Sequence, residues 1–317
     1  IAALLEAARA VLEHKEFIPA AQAIFTTCKN LLGATVGYVA LLSPDGNQNE
    51  VVYLDSSGLP CTVDPSLPMP VRGLRAEAYR TGRVVFNNEF ADSEWMRFMP
   101  EGHARLDNVL FTPLIVGGKV LGLLGLGNKR GGFTEEDARL STAFGDLAAV
   151  ALQNSRMLQS LEASEERFRS VVQTASDAII SINGHGNVVS WNNAAEAVFG
   201  YSAAEMIGRP LIRILPDRFR KAHEQALQRV VATGQAGSVG RMAELVGRRA
   251  NGREFPLELS LARWKTAEGM FFTGIVRDIT ERKKAAEALR RMNQELEHRV
   301  QERTAELSKL NEQLRAE

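Results

Sequence analysis

The 317-residue chain is poor in cysteine, with only Cys28 and Cys61. That excludes a disulfide framework and makes a reducing, cytoplasmic setting the expected one. No charge of one sign dominates. The 38 basic and 38 acidic residues cancel, which argues against nucleic acid or an anionic membrane as partner. Long hydrophobic runs are also missing. Val109 to Gly127 approaches the ~20 residues of a membrane helix, but Pro113, Gly117, Gly118 and Lys119 interrupt it. It reads instead as two strands around a GGK turn, so no membrane segment is expected. The opening IAALLEAARAVLEHKE carries charge throughout and does not read as a signal peptide. Beginning on Ile1 rather than Met, the chain is expected to be part of a longer protein.

Catalytic signatures are absent too. The sequence has no Walker-type phosphate loop and no Cys/His cluster with zinc spacing. His14, His103, His185 and His298 are scattered, with no nucleophile beside them that spacing can place. No enzyme activity is expected within this chain.

What is present is enough chain for about two domains, of ordinary soluble composition. Residues 1–32 read as helical. Val36 to Leu42 and EVVYLDS read as strands, Gly58 to Pro70 as loop, and GLRAEAYRTG as a short helix. After RVVFNN, a long loop over Glu89 to Asp107 has the length of one that covers a site. The GGK hairpin follows, then a helix that Thr134 caps and Glu135, Glu136 and Asp137 favour. From Leu140 a four-three spacing runs through Phe144, Leu147, Ala151, Asn154, Leu158, Leu161 and Glu165 to Phe168. One helix on its own sheet explains the first half. The continuation fits a parallel coiled coil between two chains, with Asn154 setting register.

This order of elements resembles a GAF domain over residues 18–152, between an N-terminal helix at 1–17 and a connecting helix at 153–168. NKRGGFTEED (Asn128 to Asp137) is similar to a shortened Asn-Lys…Phe…Asp-Glu pattern of cyclic-nucleotide GAF domains. Neither Cys28 nor Cys61 stands where bilin-binding members carry their cysteine. The resemblance implies an unidentified small ligand or a dimerisation role.

The second half gives DAIISI and VVSW as strands, two short helices ending near Gly200 and Gly208, a helix from Pro216 to Gly234, and three more strands. These are Val239 to Arg248, Glu254 to Trp264 and Met270 to Asp278. With FGY…EMIG, NGREFPLELSL and the closing RDITERK, residues 169–282 resemble a PAS domain. The fold class implied is α+β: two antiparallel-sheet sensor domains joined and followed by long helices. The family's cavity holds haem, flavin, a metabolite or nothing. No cysteine lies in this domain, which excludes flavin–cysteine photochemistry.

RFRKAHEQALQR looks like the haem-bearing helix of oxygen-sensing PAS domains. That resemblance would make His223 an axial ligand of haem b, Arg229 a propionate contact, and Leu259 and Leu261 distal apolar residues. The distal arginine of such sensors falls on Ala243, and the distal methionine of another group on Arg241, beside Met242. An apolar or empty pocket, with His223 as a hydrogen-bonded core or surface residue, stands beside that reading. Trp191 and Trp264 read as packing residues.

From Lys284 the chain has neither Gly nor Pro, and Leu289, Met292, Leu296, Val300, Arg303, Leu307, Leu310 and Leu314 are spaced by threes and fours. The extra four, a stutter around Arg303, locally unwinds a supercoil. Residues 283–317 resemble the linker helix that precedes a kinase dimerisation domain, a cyclase domain or another PAS domain. The kinase phosphoacceptor and ATP boxes and the cyclase motif are not in this chain. The expected role is a homodimeric sensory input module, of a two-component histidine kinase or of a cyclic-di-GMP cyclase or phosphodiesterase. A stand-alone dimeric scaffold is the alternative. Signal transfer is expected at Arg277, Asp278, Thr280, Arg303 and Asn154. In the PAS family the matching Asp and Thr tie the last strand to the exit helix.

Overall fold

The computed structural model describes residues 1–63, 67–233 and 242–316, with side chains of the last helix as far as Thr304. It divides into two compact units, Ile1–Ser164 and Glu165–Glu317.

The first unit opens with two helices, α1 (Ala2–Glu13) and α2 (Phe17–Leu32), rather than one helical stretch. His14 leaves the helix with extended backbone, φ −105° and ψ 121°, and α1 turns back to bury Ala7 and Ala10 in the core that α2 forms. The strands are β1 (Val36–Leu42), β2 (Gln48–Asp55), β3 (Met69–Pro70), β4 (Val85–Asn87), β5 (Val109–Val116) and β6 (Lys119–Gly127). They form one antiparallel sheet in the order β3-β2-β1-β6-β5-β4. The proline-rich segment is therefore not all loop: Met69 pairs with Asn49 and Pro70 with Gln48, at an edge position where proline's missing N–H is tolerated. Gly117 and Gly118 turn β5 into β6 at φ 59° and 79°, the two positive values a tight hairpin turn requires.

The two faces of this sheet are covered differently. Val39, Leu110, Leu114, Leu124 and Leu126 pack with α1, α2 and α4 (Glu135–Thr174). Phe111, Leu123 and Val109 pack instead with Ala78 of α3 (Leu74–Thr81) and with Phe90, Trp95, Met99 and Leu106. Those last four belong to the covering segment, which contains two 3₁₀ turns, Phe90–Asp92 and Glu94–Phe98.

The second unit contains β7 (Ala178–Asn183), β8 (Val188–Trp191), α5 (Asn193–Phe199), α6 (Ala203–Met206), α7 (Asp217–Thr233), β9 (Met242–Arg248), β10 (Glu254–Thr266), β11 (Gly269–Asp278) and α8 (Thr280–Ala316). Gly234 and Val239 to Arg241 lie outside the described residues. The sheet order is β8-β7-β11-β10-β9. One face carries Ile180, Ile182, Trp191, Phe255, Leu257, Phe272 and Val276, packed with Phe199 and Met206 of α5 and α6. Trp191 is core, donating its indole N–H to the Tyr201 carbonyl at 3.0 Å. Trp264 is half-exposed and stacks on Phe271 at 4.6 Å.

Candidate functional site

Three places carry chemistry. The first lies on the α3 face of the first sheet. Tyr38 faces Gly125 and Leu54 across its strand pairs. A Cβ on Gly125 would lie 2.7 Å from the Tyr38 ring, so the glycine gives that ring room to lie across the sheet. Arg75, Ala78 and Tyr79 share a face of α3 at offsets of three and four. The Tyr79 hydroxyl donates to Asn49 Oδ1 at 2.7 Å, and Asn49 donates to the Met69 carbonyl. Among the described residues, the buried Tyr38 hydroxyl and Arg75 Nη1 have no hydrogen-bond partner. A buried unpaired donor costs about 1–3 kcal/mol, so two in one place call for an explanation. Burial pushes the Tyr38 phenol up in pKa, with the Arg75 charge opposing it. Tyr79 is raised by burial and by Tyr38, again opposed by Arg75. The three groups therefore sense one another.

Lys129 and Asp137 of the NKRGGFTEED segment form an ion pair at 2.5 Å, and Asp137 also accepts from the Thr134 N–H and hydroxyl. Burial raises the Asp137 carboxyl, but these bonds outweigh it and hold it below its usual range. The motif fastens the end of β6 to the start of α4. Cys28 is buried in the core on the α2 side and Cys61 is exposed.

The second place is the inner face of the PAS-like sheet. Leu259 and Leu261 are half-buried there and pack against the same core as Leu227 and Val230 of α7. Leu259 stands opposite Ala243. His223 is half-buried on that stripe of α7, its Nδ1 has no partner, and burial lowers its pKa toward the neutral imidazole. Arg229 is exposed and falls off the stripe. The structure thus brings His223, Leu259 and Leu261 to one side of the domain and leaves Arg229 in solvent. Arg241 lies outside the described residues, and no cluster of three metal-ligating side chains occurs among those described.

The third place is the strand-to-helix joint. Asp278 accepts from the Thr280 N–H at 2.8 Å and its hydroxyl at 2.5 Å. Its other oxygen takes an ion pair from Arg249, in the β9–β10 turn. Burial raises the Asp278 carboxyl, yet the Thr280 and Arg249 bonds leave it lowered. Ile279 is fully buried and donates its N–H to the Pro256 carbonyl. Arg277 holds Asp177 through two bonds of 2.9 and 2.6 Å. Arg282 pairs with Glu258, and Lys283 with Glu244 at 2.6 Å.

Arg249 was invisible in the sequence pattern, where it reads as one charge in a turn. Besides Asp278 it holds the Val198 carbonyl near the end of α5, and it lies 4.0 Å over the Phe255 ring. At the other end of α5, the fully buried Asn192 caps the helix through Ala195 N–H and donates to the Val172 carbonyl of α4. So α5 is held at its start by a residue bound to the entering helix, and at its end by a residue bound to the exit joint. Asn154 is exposed on α4, and the later positions of its stripe (Leu158, Leu161, Phe168) are exposed as well, whereas Phe144 and Ala151 are buried on their own sheet. On α8, Leu289, Met292, Leu296 and Val300 are exposed. No described helix is long and apolar enough to cross a membrane.

Two antiparallel-sheet domains with buried polar or ring nitrogen groups on one face, each feeding a long helix, define a tandem sensor region. Residues 20–153 match the family profile of the GAF domain and residues 176–281 that of the PAS domain, so the chain carries a GAF domain followed by a PAS domain. Sensor protein FixL of Bradyrhizobium diazoefficiens is 33% identical over 139 residues, 44% of this chain and 28% of that protein. Cell-division control histidine kinase PdhS of Brucella suis is 27% identical over 240 residues, 73% of this chain and 22% of the kinase. The chain therefore spans less than a third of the length of these relatives, and it is similar to their sensor regions.

Proposed function

We propose that this GAF–PAS region is the input half of a homodimeric signalling protein, and that it controls a histidine kinase domain through α8. The observation that carries this is the joint: within Arg277 to Lys283, six residues are bonded to the sheet, its ends or its turns, and one of them, Ile279, is buried. A helix leaving solely as a tether would not need so many anchors. The exposed apolar stripes of α4 and α8 supply the surfaces for a parallel dimer, and Arg303 sits at the stutter where two registers are close in energy. A cyclase or phosphodiesterase would be driven by the same device. The test fuses the full chain to a histidine kinase core and measures autophosphorylation. Asp278→Ala is expected to uncouple kinase output from the input region. Unchanged output would reduce the joint to a boundary, and a monomer by light scattering at micromolar concentration would remove the dimer.

The partnerless Nδ1 of His223 supports a narrower, second reading of the PAS domain: haem b, with His223 as axial ligand and Leu259 and Leu261 on the apolar side. A neutral, half-buried imidazole on an apolar stripe suits metal ligation. Bound haem would supply an iron able to take a diatomic gas, and Ala243 offers no hydrogen-bond donor to it. Reconstitution with haem should give a Soret band that His223→Ala abolishes. No band, or equal binding by the variant, sinks this reading.

A further inference from the structure

The polar group on the α3 face of the GAF domain has no structural duty that would explain it. Tyr38 interrupts an otherwise apolar strand, and its hydroxyl is bonded to nothing among the described residues. Arg75 sits one residue past Leu74 on the sheet-facing side of α3, with Nη1 equally unpartnered and shielded from water. Glu77, the nearest acidic residue on that helix, is committed to Arg80 at 2.5 Å. Tyr79 and Asn49 satisfy each other, which fixes the Tyr79 ring as a wall. The side chains packed around them are apolar: Phe111, Leu123, Phe90 and Trp95 among them. The covering segment closes over this face, with Phe98 against Gly73 at the start of α3.

We propose that the GAF domain binds a small organic monocarboxylate with an apolar body, its carboxylate held by the Arg75 guanidinium and the Tyr38 hydroxyl. An Nη1 and a hydroxyl that both lack a partner among the described residues match one carboxylate, whose two oxygens accept from both. A cation would face the guanidinium directly. A neutral ligand would leave the shielded Nη1 without a charged acceptor. A phosphate dianion would bring more charge and more acceptors than these two donors can satisfy, against apolar walls. The apolar body of the ligand would pack beneath the covering segment, beside its partly buried Trp95, Met99 and Leu106. This proposal rests on the chain being a sensory region, since it names the ligand class of one sensor. It can fail while the joint and its coupling to α8 stand.

The test uses the full 317-residue chain in calorimetric titrations with benzoate, phenylacetate and hexanoate. Benzamide, inorganic phosphate and cyclic AMP serve as comparators. At least one carboxylate is expected to bind, and the comparators not to. Arg75→Gln should weaken that binding about tenfold to a hundredfold, the range for hydrogen bonds to a charged group. Tyr38→Phe removes only a hydroxyl that has no partner among the described residues, so it should fold normally and weaken binding about tenfold, the lower end of the same range. Binding of benzamide as tight as benzoate, binding of phosphate or cyclic AMP in place of the carboxylates, no binding by any carboxylate, or a Tyr38→Phe protein that binds undiminished would each overturn the proposal.

Discussion

The GAF and PAS domains leave their sheets by the same chemistry and different wiring. In each, an aspartate accepts from a threonine N–H and hydroxyl at the start of a long helix and pairs with a cation: Asp137 with Thr134 and Lys129, Asp278 with Thr280 and Arg249. At the GAF exit every partner comes from one short segment, so the clamp pins a strand end to the helix it precedes. At the PAS exit the cation comes from a distant turn and also grips α5. A local pin stabilises, whereas a clamp shared with another element is also placed where the proposed transmission needs it.

The largest expected effect separates these two roles. In the kinase fusion, Asp278→Ala should uncouple output, while Asp137→Ala should leave output responsive and lower stability alone. Equal loss of response from both variants would erase the distinction between pin and clamp. Next in size is stability itself. Each variant removes hydrogen bonds to a charged group and is expected to lose about 2 kcal/mol in urea unfolding. Both carboxyls titrate below a free aspartate. The stability they add is therefore complete above the unfolded value of about 3.9 and is lost as pH falls through each folded value. The gap between wild type and the Asp278→Asn variant should hold from neutral pH down to about 4 and narrow below that as the folded carboxyl takes its proton; a gap that does not narrow below it would show that charge is not the source. The smallest effect belongs to Arg277. Its pair with Asp177 is largely exposed on the arginine side, so Arg277→Gln should cost less than about 1 kcal/mol despite two good bonds.

Much of this architecture was legible in the sequence, because periodicity and punctuation report elements directly. The alternation of Phe255, Leu257, Leu259 and Leu261 marked β10, and Gly33, Gly82 and Gly200 marked helix ends, each adopting positive φ there. The break at His14 escaped notice because no glycine or proline announces it; the turn is imposed by α1 packing back on α2. The joint was legible as a motif, but its partners were not. Arg249 and Asn192 act over distances in sequence that no local pattern encodes. Arg75 left a trace, since it shares a helix face with Ala78 and Tyr79, where a solvated arginine has no reason to be. Tyr38 left none beyond being a tyrosine in an apolar strand.

The anchoring of α5 has one more consequence. It is a seven-residue helix, about 10 Å long at 1.5 Å per residue, and it spans from the residue that reads α4 to the residue that reads α8. Under the proposed function, a displacement of α4 would meet Asn192, then α5, then Arg249 and Asp278, a route that includes no residue of the PAS ligand face. On the proposed role of the joint, the PAS domain would carry an upstream input through α5 and Arg249 whether or not its own ligand face were filled.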